Sequence, residues 1–311
     1  MRRKMIIGAV LVAVILVLAG YFTKGILAPR VGICISGADA EADKQMETAL
    51  RGDLVLSGFT VLSRNSENDQ EKQTLQVKEL LENDVDVLVV QPVDPTDVSE
   101  ILLLARDVPV VFIGEEPENL GNAIFVGCDR TQPGRMQAKL VDQMFAKADI
   151  NGDRRVCYML LTGPTEQIAV QQYLETAKEG LENSAAILLE EYSCQGTSVS
   201  ASEICKQVFS QYGRDVELIL CSSGEIALGA VAAVRENGRT PGRDVVIFGV
   251  GTADSCREAV RTGALTGMII EDTEMIYEKI LQTVKLLSNN GEVNQKNYIS
   301  YKVLTAENVD E

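Results

Sequence analysis

Residues 65–95 read NSENDQEKQTLQVKELLENDVDVLVVQPVDP, and this stretch decides the fold class. Ser66 to Asp69 carries residues that start helices, with acids clustered where a helix N-terminus is positive. Thr74, Val77, Leu80 and Leu81 then recur at helical spacing and form one apolar face. Asn83-Asp84 ends that helix. Val85 to Val90 is almost wholly apolar and β-branched, the pattern of a strand covered on both faces. Gln91 stands at the carboxyl end of the strand, where open α/β sheets place ligands.

The same alternation extends outward in both directions. Before the stretch, Arg30 to Ser36 reads as a strand, Asp39 to Leu54 as a helix and Thr60 to Ser63 as a strand. After it come a helix over Asp97 to Arg106, strands over Pro109 to Gly114 and Ala123 to Gly127, and a helix from Asp129 to about Lys147. A second series follows. Its strands are Val156 to Leu161, Ala186 to Tyr192, Leu218 to Cys221 and Val245 to Val250. Its helices are Glu166 to Leu181, Ser200 to Gln211, Glu225 to Arg235 and Asp254 to Thr262. Ala264 to Glu271 is extended, Met275 to Leu287 helical and Tyr298 to Leu304 extended. Two such runs of βα units predict an α/β protein with two Rossmann-like parallel-sheet lobes.

Composition removes several functions. The 311-residue chain has a net charge of −16. Five basic residues and no acid lie in the first thirty positions, so the remainder is more acidic still. Such a body repels nucleic acid, whose affinity comes largely from Lys and Arg on phosphates. There is no histidine, so Ser-His and Cys-His catalysis is impossible. The seven cysteines contain no Cys-x-x-Cys spacing, which argues against zinc and thioredoxin chemistry. Cys34, Cys157 and Cys221 lie in apolar runs and read as buried thiols; Cys194 with Cys205 is the one pair worth testing as a disulfide. Gly249-Val250-Gly251 lacks a third glycine, and no phosphate-loop lysine occurs, so no nucleotide cofactor is expected. Met5 to Phe22 is uncharged and follows Arg2-Arg3-Lys4. It reads as a single transmembrane helix with a cytoplasmic N-terminus, leaving residues 31–311 extracytoplasmic; a cleaved signal peptide ending near Ala19 is the alternative.

The chain resembles the type I periplasmic sugar-binding proteins, closest to the galactose/glucose- and ribose-binding group of ABC importers. The residues that carry the likeness are Val31-Gly32-Ile33, Asn68 to Gln73, Leu88 to Pro95, Val110 to Ile113 with Glu116-Pro117, Val126 to Asp129, Ala227 to Val231, Phe248 to Val250 and Thr262 to Gly267. The resemblance implies two lobes joined by a three-crossing hinge, with Asp129 and Asp272 at the first two crossings. It divides the chain into a tip, anchor and linker (1–30), an N-terminal lobe (31–128 with about 272–290) and a C-terminal lobe (129–271 with about 291–311).

It also implies the ligand contacts, and here the side chains depart from the family pattern. The first loop reads Asp39-Ala40-Glu41-Ala42 and lacks the stacking aromatic. Gln91 stands where Asn is common. The contact loop of the second lobe offers Gln167, with Tyr173 near the usual Arg. Ser223 replaces an amide, Gly251 an acid, and Glu271 is the polar residue near the hinge. Glu115 and Glu225 join Glu41 and Glu271 as acids suited to an amine-bearing ligand. Asp149, Asn151 and Asp153 look like the start of a calcium loop. Arg154, Cys157 and Leu160 then occupy its later positions, so an Asp/Asn turn and no metal is the expectation. Two functions follow. One is a membrane-tethered solute-binding protein that closes on a small sugar-like ligand and delivers it to an ABC permease. The other is a ligand-sensing co-receptor for a membrane histidine kinase or chemoreceptor. Neither is an enzyme.

Overall fold

The computed structural model describes residues 28–38, 40–165, 167–251 and 255–310, without the side chains of Ala40 and Glu41. The expected transmembrane run Met5 to Phe22 lies outside these residues. Among the described residues no helix is long and apolar enough to cross a membrane.

The quoted stretch folds as its pattern requires. Asp69 caps a helix over Gln70–Glu82 by accepting the Lys72 N–H at 2.9 Å. Val77 and Leu80 are fully buried, each contributing about 2 kcal/mol by removal from water. Thr74 is only half-buried, and Gln73 takes its place on the covered face. Gln73 can be buried because both ends of its amide are used. Its Nε2 donates to the Gln91 carbonyl at 2.9 Å, and its Oε1 accepts from the Val93 N–H at 3.0 Å. Asp84, at φ 53, turns the chain into the strand Val87–Val90, buried along its whole length.

The first unit runs up to Gly127 and resumes over Glu274–Tyr298. Its strands are β1 (Arg30–Ile35), β2 (Thr60–Asn65), β3 (Val87–Val90), β4 (Val110–Ile113), β5 (Ile124–Cys128) and, late in the chain, β11 (Lys296–Ile299). They lie in the order β11-β5-β4-β3-β1-β2. Three helices accompany them in sequence, α1 (Ala40–Leu56), α2 (Gln70–Glu82) and α3 (Ser99–Ala105).

The second unit comprises Cys128–Thr273 and Ile299–Glu311. Its strands are β6 (Val156–Thr162), β7 (Ala186–Ser193), β8 (Leu218–Cys221), β9 (Val246–Val250), β10 (Gly267–Ile270) and β12 (Lys302–Leu304), ordered β12-β10-β9-β8-β6-β7. Among the described residues of this sheet, β10 and β12 pair antiparallel, while β6–β7, β6–β8, β8–β9 and β9–β10 pair parallel. The helices are α4 (Gln132–Gln143), α5 (Phe145–Ala148), α6 (Ile168–Leu181), α7 (Ser198–Tyr212), α8 (Gly224–Glu236) and α9 (Arg257–Arg261); α10 (Thr273–Ser288) leads back to the first unit. The single helix expected to reach Lys147 is instead broken at Met144, which leaves helical geometry. The α7 and α8 helices approach closely at Gly229, where a Cβ would come within 2.2 Å of the Ser198 carbonyl oxygen.

Both sheets have the doubly wound order in which the first strand is flanked by the second and third. The connections therefore diverge between β1 and β3 in one unit and between β6 and β8 in the other, and such points are where open α/β sheets bind ligands.

One domain boundary differs from expectation. Residues 291–311 do not pass as a block into the second unit, because β11 lies beside β5 in the first sheet. Phe125 N–H donates to the Gln295 carbonyl at 2.7 Å, and the buried Asn297 donates to the Phe125 carbonyl at 3.3 Å. Phe125 and Tyr298 meet edge to face, with ring centroids 5.9 Å apart. The extended segment 298–304 is thus two strands in two sheets.

Candidate ligand-binding site

In the second unit the carboxyl ends of β6, β8 and β9 surround a cavity of about 520 Å³, within the usual size of a small-molecule site. Each strand end contributes to it. Gly163 and Pro164 follow β6, Ser222 and Ser223 follow β8, and Val250 closes β9. The Gly163 N–H donates to Ser222 Oγ at 3.0 Å, tying β6 to β8 across the point where the connections diverge. Ser223 caps α8 by accepting the Ile226 N–H at 3.3 Å. Each serine hydroxyl accepts one backbone N–H and, among the described residues, keeps its hydrogen and a second lone pair for another partner.

The rest of the wall comes from helix starts and from the turn between β11 and β12. Gln167, at the N-cap of α6, is exposed and lines the cavity. Gln195 does so from the loop before α7, at φ 49, a left-handed conformation that costs a non-glycine residue energy. Arg130 and Pro133 reach it from the start of α4, and Glu225 from the first turn of α8. Glu225 Oε1 accepts the Ser198 N–H at 3.3 Å. Tyr301 adds an almost fully buried ring. Burial first, then Glu271 and Cys128, push its hydroxyl far above the ordinary tyrosine range, so it is a neutral donor at any working pH.

Of the expected contacts, Gln167, Tyr173 and Ser223 are brought together here. Tyr173 differs in role. Its ring lines the cavity, but its hydroxyl donates into the core, to Gln137 Oε1 at 2.6 Å, and Gln137 in turn donates to the Cys221 carbonyl at 3.2 Å. Gly251, at φ 116, follows β9 and donates its N–H to the Ile269 carbonyl at 2.9 Å. Glu271 has an open surface at the end of β10. The protein around it raises its carboxyl pKa, and Arg130 opposes that shift. Asp129 accepts the Thr131 N–H at 2.9 Å, and the buried Asp272 pairs with Lys302 at 2.8 Å.

In the first unit Gln91 and Glu115 are half-buried at the ends of β3 and β4. Asp39 and the Glu41 side chain lie outside the described residues. Arg130, Gln195, Ser222 and Tyr301 were not among the expected contacts. Only Gln195-Gly196-Thr197 carried a sequence signal, a turn followed by an N-cap residue.

The Asp149 loop does not fit calcium. Asp149 Oδ2, Asn151 Oδ1 and Asp153 Oδ1 accept N–H groups of Arg154, Asp153 and Arg155. The fully buried Glu217 spends both oxygens on the N–H groups of Ile150, Asn151 and Cys157 at 2.9–3.1 Å. Within this loop one oxygen, Asp149 Oδ1, is buried without a partner, against the six or more oxygens calcium takes.

The model of the periplasmic binding protein domain matches residues 31–292. The chain belongs to the periplasmic binding protein family. Among relatives, a D-galactose/methyl-galactoside binding periplasmic protein of Haemophilus influenzae is 24% identical, covering 84% of this chain and 81% of the relative. A putative rhizopine-binding protein of Rhizobium meliloti is 24% identical over 89% and 91%. The crystal structure of a periplasmic ribose ABC transporter from Conexibacter woesei superposes with a TM-score of 0.79 at 19% identity, covering 91% and 93%. This last likeness shows the fold. Both curated relatives are named as binding proteins.

Proposed function

We propose that this protein is an extracytoplasmic solute-binding protein that binds a small sugar-like ligand and delivers it to an ABC importer. The observation that carries the reading is the lining of the second-unit cavity. Its donors, the Gln167 and Gln195 amides and the Ser222 and Ser223 hydroxyls, stand around an apolar wall formed by Pro133, Pro164, Val170 and the Tyr301 ring. A polyhydroxylated ring has the matching character, with hydroxyls at its edge and C–H groups on its faces. The relative named for D-galactose supports the same ligand class. Asp129 and Asp272 serve as hinge positions, each beside a boundary between units. The uncharged run behind Arg2-Arg3-Lys4 supports a membrane tether that leaves residues 31–311 extracytoplasmic.

Calorimetric titration of the purified protein with D-galactose, D-ribose and myo-inositol tests the binding. Saturable heat with at least one is expected, and silence from all three at millimolar concentration overturns the reading. For the tether, N-terminal sequencing of membrane-extracted protein is expected to begin at Met1. A mature chain beginning near residue 20 overturns it.

A further inference from the structure

Asp43 lies in the first turn of α1 and is 4% exposed. Its Oδ1 accepts from Gln91 Nε2 at 3.0 Å, and its Oδ2 accepts from Ser36 Oγ at 3.4 Å. At the other end of the same amide, Gln91 Oε1 accepts the Ser36 backbone N–H at 3.1 Å. Gln73 holds the Gln91 carbonyl from behind. These contacts span the ends of β1 and β3, where the connections of the first sheet diverge. Gly114, at φ 76, leaves Gln91 room, since a Cβ there would come within 3.3 Å of Gln91 Cγ.

The chemistry of the two partners allows one orientation of the amide. A backbone N–H can only donate, and a carboxylate can only accept. Flipping Gln91 would set donor against donor at Ser36 and oxygen against oxygen at Asp43. The amide is therefore locked, and among the described residues one Nε2 hydrogen and one Oε1 lone pair are left for a ligand in a single order.

We propose that Asp43 is a specificity-determining positioning residue: by locking the Gln91 amide, it makes the first unit present one donor and one acceptor in fixed order to adjacent hydroxyls of a small polyhydroxylated ligand. The inference rests on the solute-binding reading above and adds a residue that touches no ligand itself.

The test uses the full chain in detergent, with D-galactose, D-ribose and myo-inositol as probes and a thermal melt for every variant. Asp43→Ala, which removes the acceptor, is expected to weaken binding about tenfold. Asp43→Asn keeps an acceptor oxygen and is expected to stay within about threefold of wild type. A role of the charge alone would instead make the two variants equally weak, and that result overturns the proposal. Nuclear magnetic resonance of the ¹⁵N-labelled chain reads the lock without ligand. The Gln91 side-chain signals, identified by their loss in Gln91→Ala, are expected as two well-separated, slowly exchanging protons that merge toward exposed-amide positions in Asp43→Ala. Should Asp43→Ala not fold, the wild-type signals decide, and a fast-exchanging, averaged pair overturns the lock. Wild-type protein silent to every probe overturns the solute-binding reading itself. Wild-type binding left unchanged in Asp43→Ala overturns only the role given to Asp43.

Discussion

Tyr173 donates its hydroxyl to Gln137 Oε1 at 2.6 Å, inside the second unit and away from the cavity its ring lines. Tyr173→Phe keeps the ring and strands a buried amide oxygen. We expect a loss of about 1–3 kcal/mol in urea unfolding, with ligand affinity changed much less than stability. A large loss of affinity at unchanged stability would return the hydroxyl to the ligand.

Glu217 joins three backbone N–H groups of the 150–157 turn and strand. In Glu217→Gln one end of the side chain becomes a donor and faces a donor. The expected cost is about 3 kcal/mol by the same assay. Added calcium is expected to leave the melting temperature unchanged, because Asp149 Oδ2, Asn151 Oδ1 and Asp153 Oδ1 already accept the loop's own amides.

Gly229 lies inside α8, where alanine ordinarily gains about 1 kcal/mol of helix propensity. Here its Cβ would meet Ser198 O at 2.2 Å and Ala201 Cβ at 2.9 Å. Gly229→Ala is therefore expected to destabilise by about 2 kcal/mol, because backbone on α7 must move. Unchanged or raised stability would show that the two helices separate at no cost.

All seven thiols are free, six of them buried and Cys157 half-buried. Burial pushes Cys128 and Cys205 up to about 12 and Cys194 up to about 11 from the ordinary 9.0. Well below pH 9 these thiols are protonated in both states, and their titration gives stability no pH dependence. As pH rises from about 9 toward 12 the unfolded chain ionises first and binds fewer protons, so stability falls across that window. A thiol reagent at pH 8 is expected to label at most Cys157 in the native protein and all seven in denaturant. Rapid native labelling of Cys194 or Cys205 would contradict their burial.

Lys302 pairs with the buried Asp272 at 2.8 Å while more than half of its own side chain is exposed. Lys302→Met is expected to cost about 1 kcal/mol at low salt, and less as salt screens the exposed partner. A salt-independent loss would point to packing of the lysine stem rather than charge.

Much of the fold was legible in the chain itself. Val87–Val90 and Leu218–Cys221 announce strands covered on both faces, because a short, wholly apolar run has no other low-energy place. Asp69 and the spacing of Val77 and Leu80 announce a helix, because capping and periodicity act within a few residues. Such signals are local and survive in a linear reading. The tertiary structure decided the rest. Gln91 was legible as the polar end of a strand, but its amide meets Asp43 and Ser36, 48 and 55 residues away in the sequence. Tyr173 turns its hydroxyl to Gln137, 36 residues away. Segment 298–304 divides between two sheets, because its pairing depends on which edges remain open after the other strands have assembled. Apolar burial follows from a residue's own chemistry. The direction a polar group points follows from its partner, and partners are chosen by the fold.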